Sequence, residues 1–227
     1  MKNIKEKYSK ELAITAFGLV WLPEDTTNPN FKFVTNCITD IIKDQQFSEL
    51  EAFRFKLDLS LLNIFLAMYA VNIFVDNENE AKEIIDPMRK YFLDLFETDY
   101  SKVKTKEQFE QQHIILGDFI KRESERRLIK VEIESIIHKN VDMDNLKMNH
   151  RSLLDMLYPY RVAGYKQAIE TQGNMGPMFS IAREFSRHFT GNEDDKENAW
   201  LVVQLSLLFS YISLIFTEYC RHNFSKK

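Results

Sequence analysis

The residues best suited to chemistry are glutamates placed one helical turn ahead of histidines. Glu110 and His113 form an ExxH, the pair with which carboxylate-bridged di-iron bundles hold metal from one helix face. Glu134/His138, Glu184/His188 and Glu218/His222 repeat the theme at i, i+4, so four of the five histidines share a helix face with an acid. A di-iron site needs two ExxH pairs and a glutamate from each of two further helices. One ExxH is present, so the sequence assigns no metal and no cofactor. His138, His188 and His222 each fall where a helix is expected to end, and a cation there suits the negative end of the helix dipole. Helix-end stabilisation thus covers most of the pattern. Glu110, His113, Glu134 and His138 are the first residues to substitute in a test of metal or small-ligand binding.

Other chemistry finds little footing. HExxH, the zinc-deaminase signature, GxSxG, Walker A and GxGxxG are all absent. Cys37 and Cys220 lie in apolar patterns that disfavour the thiolate, and they form neither a CxxC nor a disulfide framework. They read as core thiols of a reducing, cytoplasmic compartment. The run from Lys121 to Arg127 carries both signs, with Glu132 and Glu134 following, and reads as a solvated face. Together with a net charge of −4 it points away from nucleic acid. Met143, Met148, Met156, Met175 and Met178 gather loosely near Tyr158, Tyr160 and Tyr165. They suit core packing, or a groove for a partner helix. A binding cleft, if there is one, is expected between Tyr158–Arg161 and the turn-rich Gly173–Pro177.

The elements that would position these residues are helical. Glu197 to His222 is the organising stretch: no charge, proline or glycine falls between Ala199 and Thr217. On a helical wheel Ala199, Ser206, Ser213 and Cys220 lie a heptad apart, with Val203, Ser210 and Thr217 between them. That small stripe stands opposite bulky Leu201, Leu205, Leu208, Ile212, Ile215 and Phe216. A second apolar stretch, opened by a Ser48/Glu51 capping box, carries its own small or polar stripe of Ser60, Asn63, Ala67 and Ala70. The two stripes are expected to face each other and bring the helix axes close.

Around this pair the remaining elements follow in order. Ile4, Tyr8, Leu12, Thr15, Leu19 and Leu22 mark a first amphipathic helix rather than a leader peptide. Asn28-Pro29 caps a second helix. Asp86-Pro87 kinks or splits a helix near 78–97, and another pattern runs from Thr105 to about His138. Leu146 to Thr171 is expected to break at Tyr158-Pro159. A short helix spans Pro177 to Thr190, and Asn192 caps the acidic start of the last one.

The fold class that results is all-α, one helical domain over residues 1–227 with seven to nine helices built around 49–75 and 193–222. The alternative is α+β, with strands near 53–61 and 129–136 where apolar and polar residues alternate. For function, the reading is a non-catalytic helical interaction or scaffold protein, with a protein partner or a homo-oligomer, no nucleic acid and no membrane. One alternative is a helical bundle, enzyme or not, that holds a metal or small ligand. The other is a tail-anchored membrane protein with its span at 199–217, where Trp200 and Tyr219 would sit as belt residues. Asp58, Asn63 and Asn72 in the companion helix weigh against lipid.

Overall fold

A computed structural model of the chain describes residues 2–21, 27–100, 150–171, 174–191 and 196–224. Among them stand seven helices and no strand: α1 (Lys2–Trp21), α2 (Pro29–Asp44), α3 (Glu49–Phe74), α4 (Glu78–Tyr100), α5 (His150–Glu170), α6 (Pro177–Thr190) and α7 (Ala199–Phe224). The all-α reading holds. The second proposed strand, 129–136, lies outside the described residues.

The caps read at Asn28 and Ser48 are in place, and the one read at Asn192 lies outside the described residues. Asn28 accepts from the amides of Asn30 and Phe31 ahead of Pro29, and Ser48 and Glu51 close a reciprocal capping box. Asn77 caps α4 by accepting from the amides of Asn79 and Glu80. Gly191 ends α6 in the left-handed region at φ 69°, where a side chain would be strained.

α3 is the hub. It packs against α1, α4, α5, α6 and α7, and an unbroken run from Leu57 to Ala67 is buried all round its circumference. This is why the alternation over 53–61 is helical and not pleated. In a half-buried strand the polar partners would meet water, whereas here they meet other helices. Asp58 pairs with Arg161, Ser60 accepts from the Trp21 indole at 2.8 Å, and Arg54 donates to the Phe189 carbonyl. A fully surrounded helix loses the 3.6-residue signature on which the sequence reading relied.

The two prolines split neither α4 nor α5. Pro87 removes the amide that would bond the carbonyl of Glu83. Next to this gap the Ser9 hydroxyl of α1 lies 2.8 Å from the Ile84 carbonyl and 2.9 Å from that of Lys5. The α1/α4 contact carries the turn through, with Lys5 bonded to Glu83 at 2.7 Å and Tyr91 to Glu6 at 2.8 Å. Near Pro159, the guanidinium of Arg89 on α4 pairs with Asp155 and lies 4.3 Å from the centre of the Tyr158 ring, tying that turn to its neighbour. The last helix opens at Ala199, after a turn at 196–198, rather than at 193.

The stripes do not face each other. That of α3 faces α1: Asn63 donates to the Ala16 carbonyl at 3.0 Å, beside buried Ala13 and Ala16. α7 meets α3 and α6 with its bulky side, where Leu201, Leu205, Leu208, Phe209, Ile212 and Phe216 are buried. Of its small stripe only Cys220 is buried. Burial stabilises in proportion to apolar area, about 25 cal/mol per Å², so the branched and aromatic side wins the interior. The serines turned outward bond their own helix: Ser206 donates to the Val203 carbonyl at 2.8 Å and Ser210 to that of Ser206 at 2.7 Å.

Candidate interaction surface

The Glu–His pairs do not converge. Glu110/His113 and Glu134/His138 lie outside the described residues. Glu184 and His188 form an ion-pair contact of 2.7 Å on α6, beside Gly164 of α5, where an added Cβ would come within 3.3 Å of His188 Nε2. Glu218 pairs with Arg221 at 2.7 Å, and His222 stands exposed in the last turn of α7. Among the described residues no three His, Cys, Asp or Glu side chains gather closely enough to hold a metal ion. Each of these two histidines occupies a helix end, where the dipole favours positive charge.

The region around Tyr158–Arg161 turns out to be structural at its described positions. Arg161 is buried and reaches Asp58 Oδ1 through Nε at 3.2 Å and Nη2 at 3.1 Å, while the Tyr158 hydroxyl meets the Met68 sulfur. Met175 is exposed, Met178 is half-buried, and Met143 and Met148 lie outside the described residues. Cavities among the described residues lie elsewhere. One of about 680 Å³ lies between the ends of α1, α3, α4 and α7, walled by Ile4, Tyr8, Phe74, Ile84 and Phe224. Lys5, the cation among the described lining residues, already serves Glu83 at 2.7 Å and Glu80 at 4.0 Å. Another, about 800 Å³, is a charged trough along α1 and α4 lined by Lys5, Glu6, Lys82, Glu83, Asp86, Pro87 and Tyr91. Neither sets a nucleophile beside a base.

Titration behaviour points to packing as well. Burial pushes the Cys220 thiol and the Tyr158 phenol each up to about 12. Burial, aided by the hydrogen bond to Glu11, raises Tyr219 further. Burial and then Asp40 raise Cys37, so neither thiol is activated as a nucleophile. Groups with raised folded-state values bind protons more tightly when folded. Their contribution is full below the unfolded values, about 9 for the thiols and about 10 for the phenols, and is lost as pH rises through the folded ones. Urea midpoints are therefore expected to fall steadily between about pH 9 and about pH 12. A flat profile across that window would contradict the burial of these four groups.

The open feature is the outer face of α7. Trp200 is 62% exposed, Val203 40%, Leu207 69% and Leu214 51%, with Ser210 exposed and Thr217 half-buried between and beyond them. Among the described residues α3 and α7 are both long and apolar enough to cross a membrane. They differ in coverage: 72% of the apolar window of α3 is buried against 39% for α7. Phe33 of α2 lies beside this face with its ring 4.4 Å from that of Tyr211, whose hydroxyl donates to Asn30. The flank is polar: Gln204 donates to Asp44 at 2.7 Å and accepts from Gln45 at 3.3 Å, with Asp40 and Lys43 exposed on α2. An apolar centre rich in aromatics with a polar rim is the anatomy of an interaction surface. The size split on the wheel concealed it, although positions 200, 203, 207, 210, 214 and 217 step by alternating threes and fours.

The fold and this face define a class, an all-α bundle in which an apolar face of α7 is left open among the described residues. No protein family, curated protein or solved structure matches the chain.

Proposed function

We propose that the protein is a non-catalytic interaction module that engages another protein helix through the outer face of α7. The observation that carries the reading is the uncharged, largely exposed line of Trp200, Val203, Leu207 and Leu214 on a helix whose opposite side forms the core. The step of threes and fours is the seam that accepts a second helix in near-parallel packing. What favours protein over bilayer is the flank. Asp44, bonded to Gln204, stands within a turn of Val203 and Leu207, and immersing that face would draw its carboxylate toward lipid at high cost. Withdrawing α7 as a tail anchor would also strip Leu205, Phe209, Ile212 and Phe216 from the core. An aqueous, reducing setting such as the cytoplasm suits two free thiols.

Leu207→Lys with Leu214→Lys tests the reading. Both side chains face outward, so the melting temperature is expected to change little, within about 0.5 kcal/mol of stability. The wild-type chain is expected either to self-associate or to bind an anilinonaphthalene dye, and the double variant to do neither. Identical behaviour of the two proteins in both assays would sink the reading. Wild-type chain that pellets from a detergent-free lysate and returns with detergent would shift it to the membrane.

A further inference from the structure

We infer that the cavity where α1, α3, α4 and α7 meet is a binding site for a small organic cation, an ammonium carried on an apolar body. The site is separate from the outer face of α7 and does not depend on the interaction reading. Its volume, about 680 Å³, falls within the range of about 300–1,000 Å³ that holds small molecules. Three aromatic rings, Tyr8, Phe74 and Phe224, stand half-buried in its wall, one each from α1, α3 and α7. Neighbouring contacts hold that wall in shape. Tyr8 lies edge-on to Phe224 at 4.9 Å and to Tyr219 at 6.4 Å, and Asn223 donates to the Tyr219 carbonyl at 2.9 Å. Ile84 of α4 adds a buried side chain to the lining.

Charge decides what such a wall accepts. Two helices begin at the cavity and two end there, so their dipoles largely cancel and the side chains set its sign. Among the described lining residues Asp76 and Glu80 supply two carboxylates against the ammonium of Lys5. That ammonium is already committed: Glu83, outside the lining, holds it at 2.7 Å, and Glu80 stands 4.0 Å away.

The other ligand classes fit less well. An anion, whether a fatty acid or a phosphate ester, would have to displace Glu83 from Lys5 and then face Asp76 and Glu80. A bare metal ion finds no close set of three His, Cys, Asp or Glu side chains among the described residues. A neutral apolar molecule would fill the space but gain nothing from the carboxylates. An ammonium on carbon answers both features. Its charge is drawn to ring faces within about 6 Å and to the carboxylates, while its body takes up the apolar volume.

The test is methyl NMR on the full chain with labelled isoleucines, titrated with benzyltrimethylammonium. Phenylacetate and benzyl alcohol serve as the anionic and neutral counterparts. The cation is expected to shift the Ile4 and Ile84 methyls, saturating below about 5 mM, while Ile181 in the core side of α6 stays unshifted. It should bind about tenfold more tightly than either counterpart, and Asp76→Asn with Glu80→Gln should remove about tenfold for the cation alone. Ile4→Lys, at an exposed position of the wall, should abolish cation binding, read at Ile84, without altering the helical circular dichroism. Phe224→Leu should weaken the cation by about 3-fold or more and the alcohol less. Equal affinities for the three probes would leave an apolar hollow without charge selection and overturn the inference. So would a preference for phenylacetate, cation binding indifferent to Ile4→Lys, or no shift with any probe. If only a Lys226→Ser, Lys227→Ser variant responds to the cation, the chain's own lysines take the place, and the free ligand is overturned as occupant.

Discussion

Arg161→Met is expected to cost the fold about 3–5 kcal/mol, among the largest losses available to any single substitution in the chain. The side chains of Arg161 and Asp58 are 5% and 7% exposed, and their contacts are 3.1 Å and 3.2 Å. Each charge therefore gave up water for the other. Remove the guanidinium and the carboxylate stays in the interior with nothing to replace either its hydration or its partner. The loss comes mainly from that stranded charge and less from the pair's own attraction, because desolvation consumes most of the Coulomb gain in a buried pair. A second variant separates the two contributions. Asp58→Leu combined with Arg161→Met replaces both charges with apolar volume and is expected to regain most of the stability. Urea unfolding of the four proteins in the cycle checks this. A double variant as unstable as Arg161→Met alone would show that the pair itself, and not the stranded carboxylate, holds α3 to α5.

The same pair shows what could be read from the sequence and what could not. Ser48/Glu51 and Asn28-Pro29 were legible because a cap is a local contract: donor and acceptor lie within four residues, and the sequence holds both. Asp58 and Arg161 are 103 positions apart, and nothing within a turn of either announces the other. Asp58 alone, set between Leu57 and Leu59, looks instead like the polar half of a strand. The prolines misled for a related reason. Pro87 and Pro159 carry their local penalty, but contacts from other helices, including Ser9 and Arg89, support the turns they weaken. Tertiary contact overrode the local rule in each case.

The stripes failed in another way. Sorting α7 into small and bulky sides was correct as geometry, but it said nothing about how many neighbours existed to cover each side. Among the described residues α3 is ringed by five helices and buries its whole circumference over Leu57–Ala67. Among the described residues α7 meets chiefly α3 and α6, with α2 along one edge, so Trp200, Leu207 and Leu214 are left over. An apolar helix on the outside of a bundle is a statement about topology, and composition cannot make it. The spacing of threes and fours was present throughout, but it becomes a signal only once the side that carries it is known to face outward.

The second large effect is expected from Phe55→Ala. Phe55 is fully buried on α3, with its ring 5.7 Å from Phe47, 5.6 Å from Phe185 and 5.5 Å from Phe189, while Phe185 lies 5.3 Å from Phe209 of α7. Truncation removes the transfer energy of a phenyl ring and leaves a hole that the rings of Phe47, Phe185 and Phe189 cannot fill without leaving their rotamers, a cost of about 3–5 kcal/mol. Edge and tilted ring contacts add about 0.5–1.5 kcal/mol each, which places this site toward the upper end. The loss should also be uneven. α6 is joined to α3 mainly here and through Arg54, whose guanidinium lies 4.7 Å from the centre of the Phe189 ring and donates to the carbonyl that ends the helix. The α1/α4 pair rests on other contacts, among them Lys5–Glu83 and Tyr91–Glu6. Hydrogen exchange in the variant should therefore show the amides of 181–189 losing protection by a larger factor than those of 10–20. Because α6 packs against α7, the amides of 201–209 on that side should lose protection together with those of α6. Equal loss in both segments would mean that the bundle opens only as a whole. In that case Phe55 supports the entire fold rather than the α6 edge that holds α7 in place.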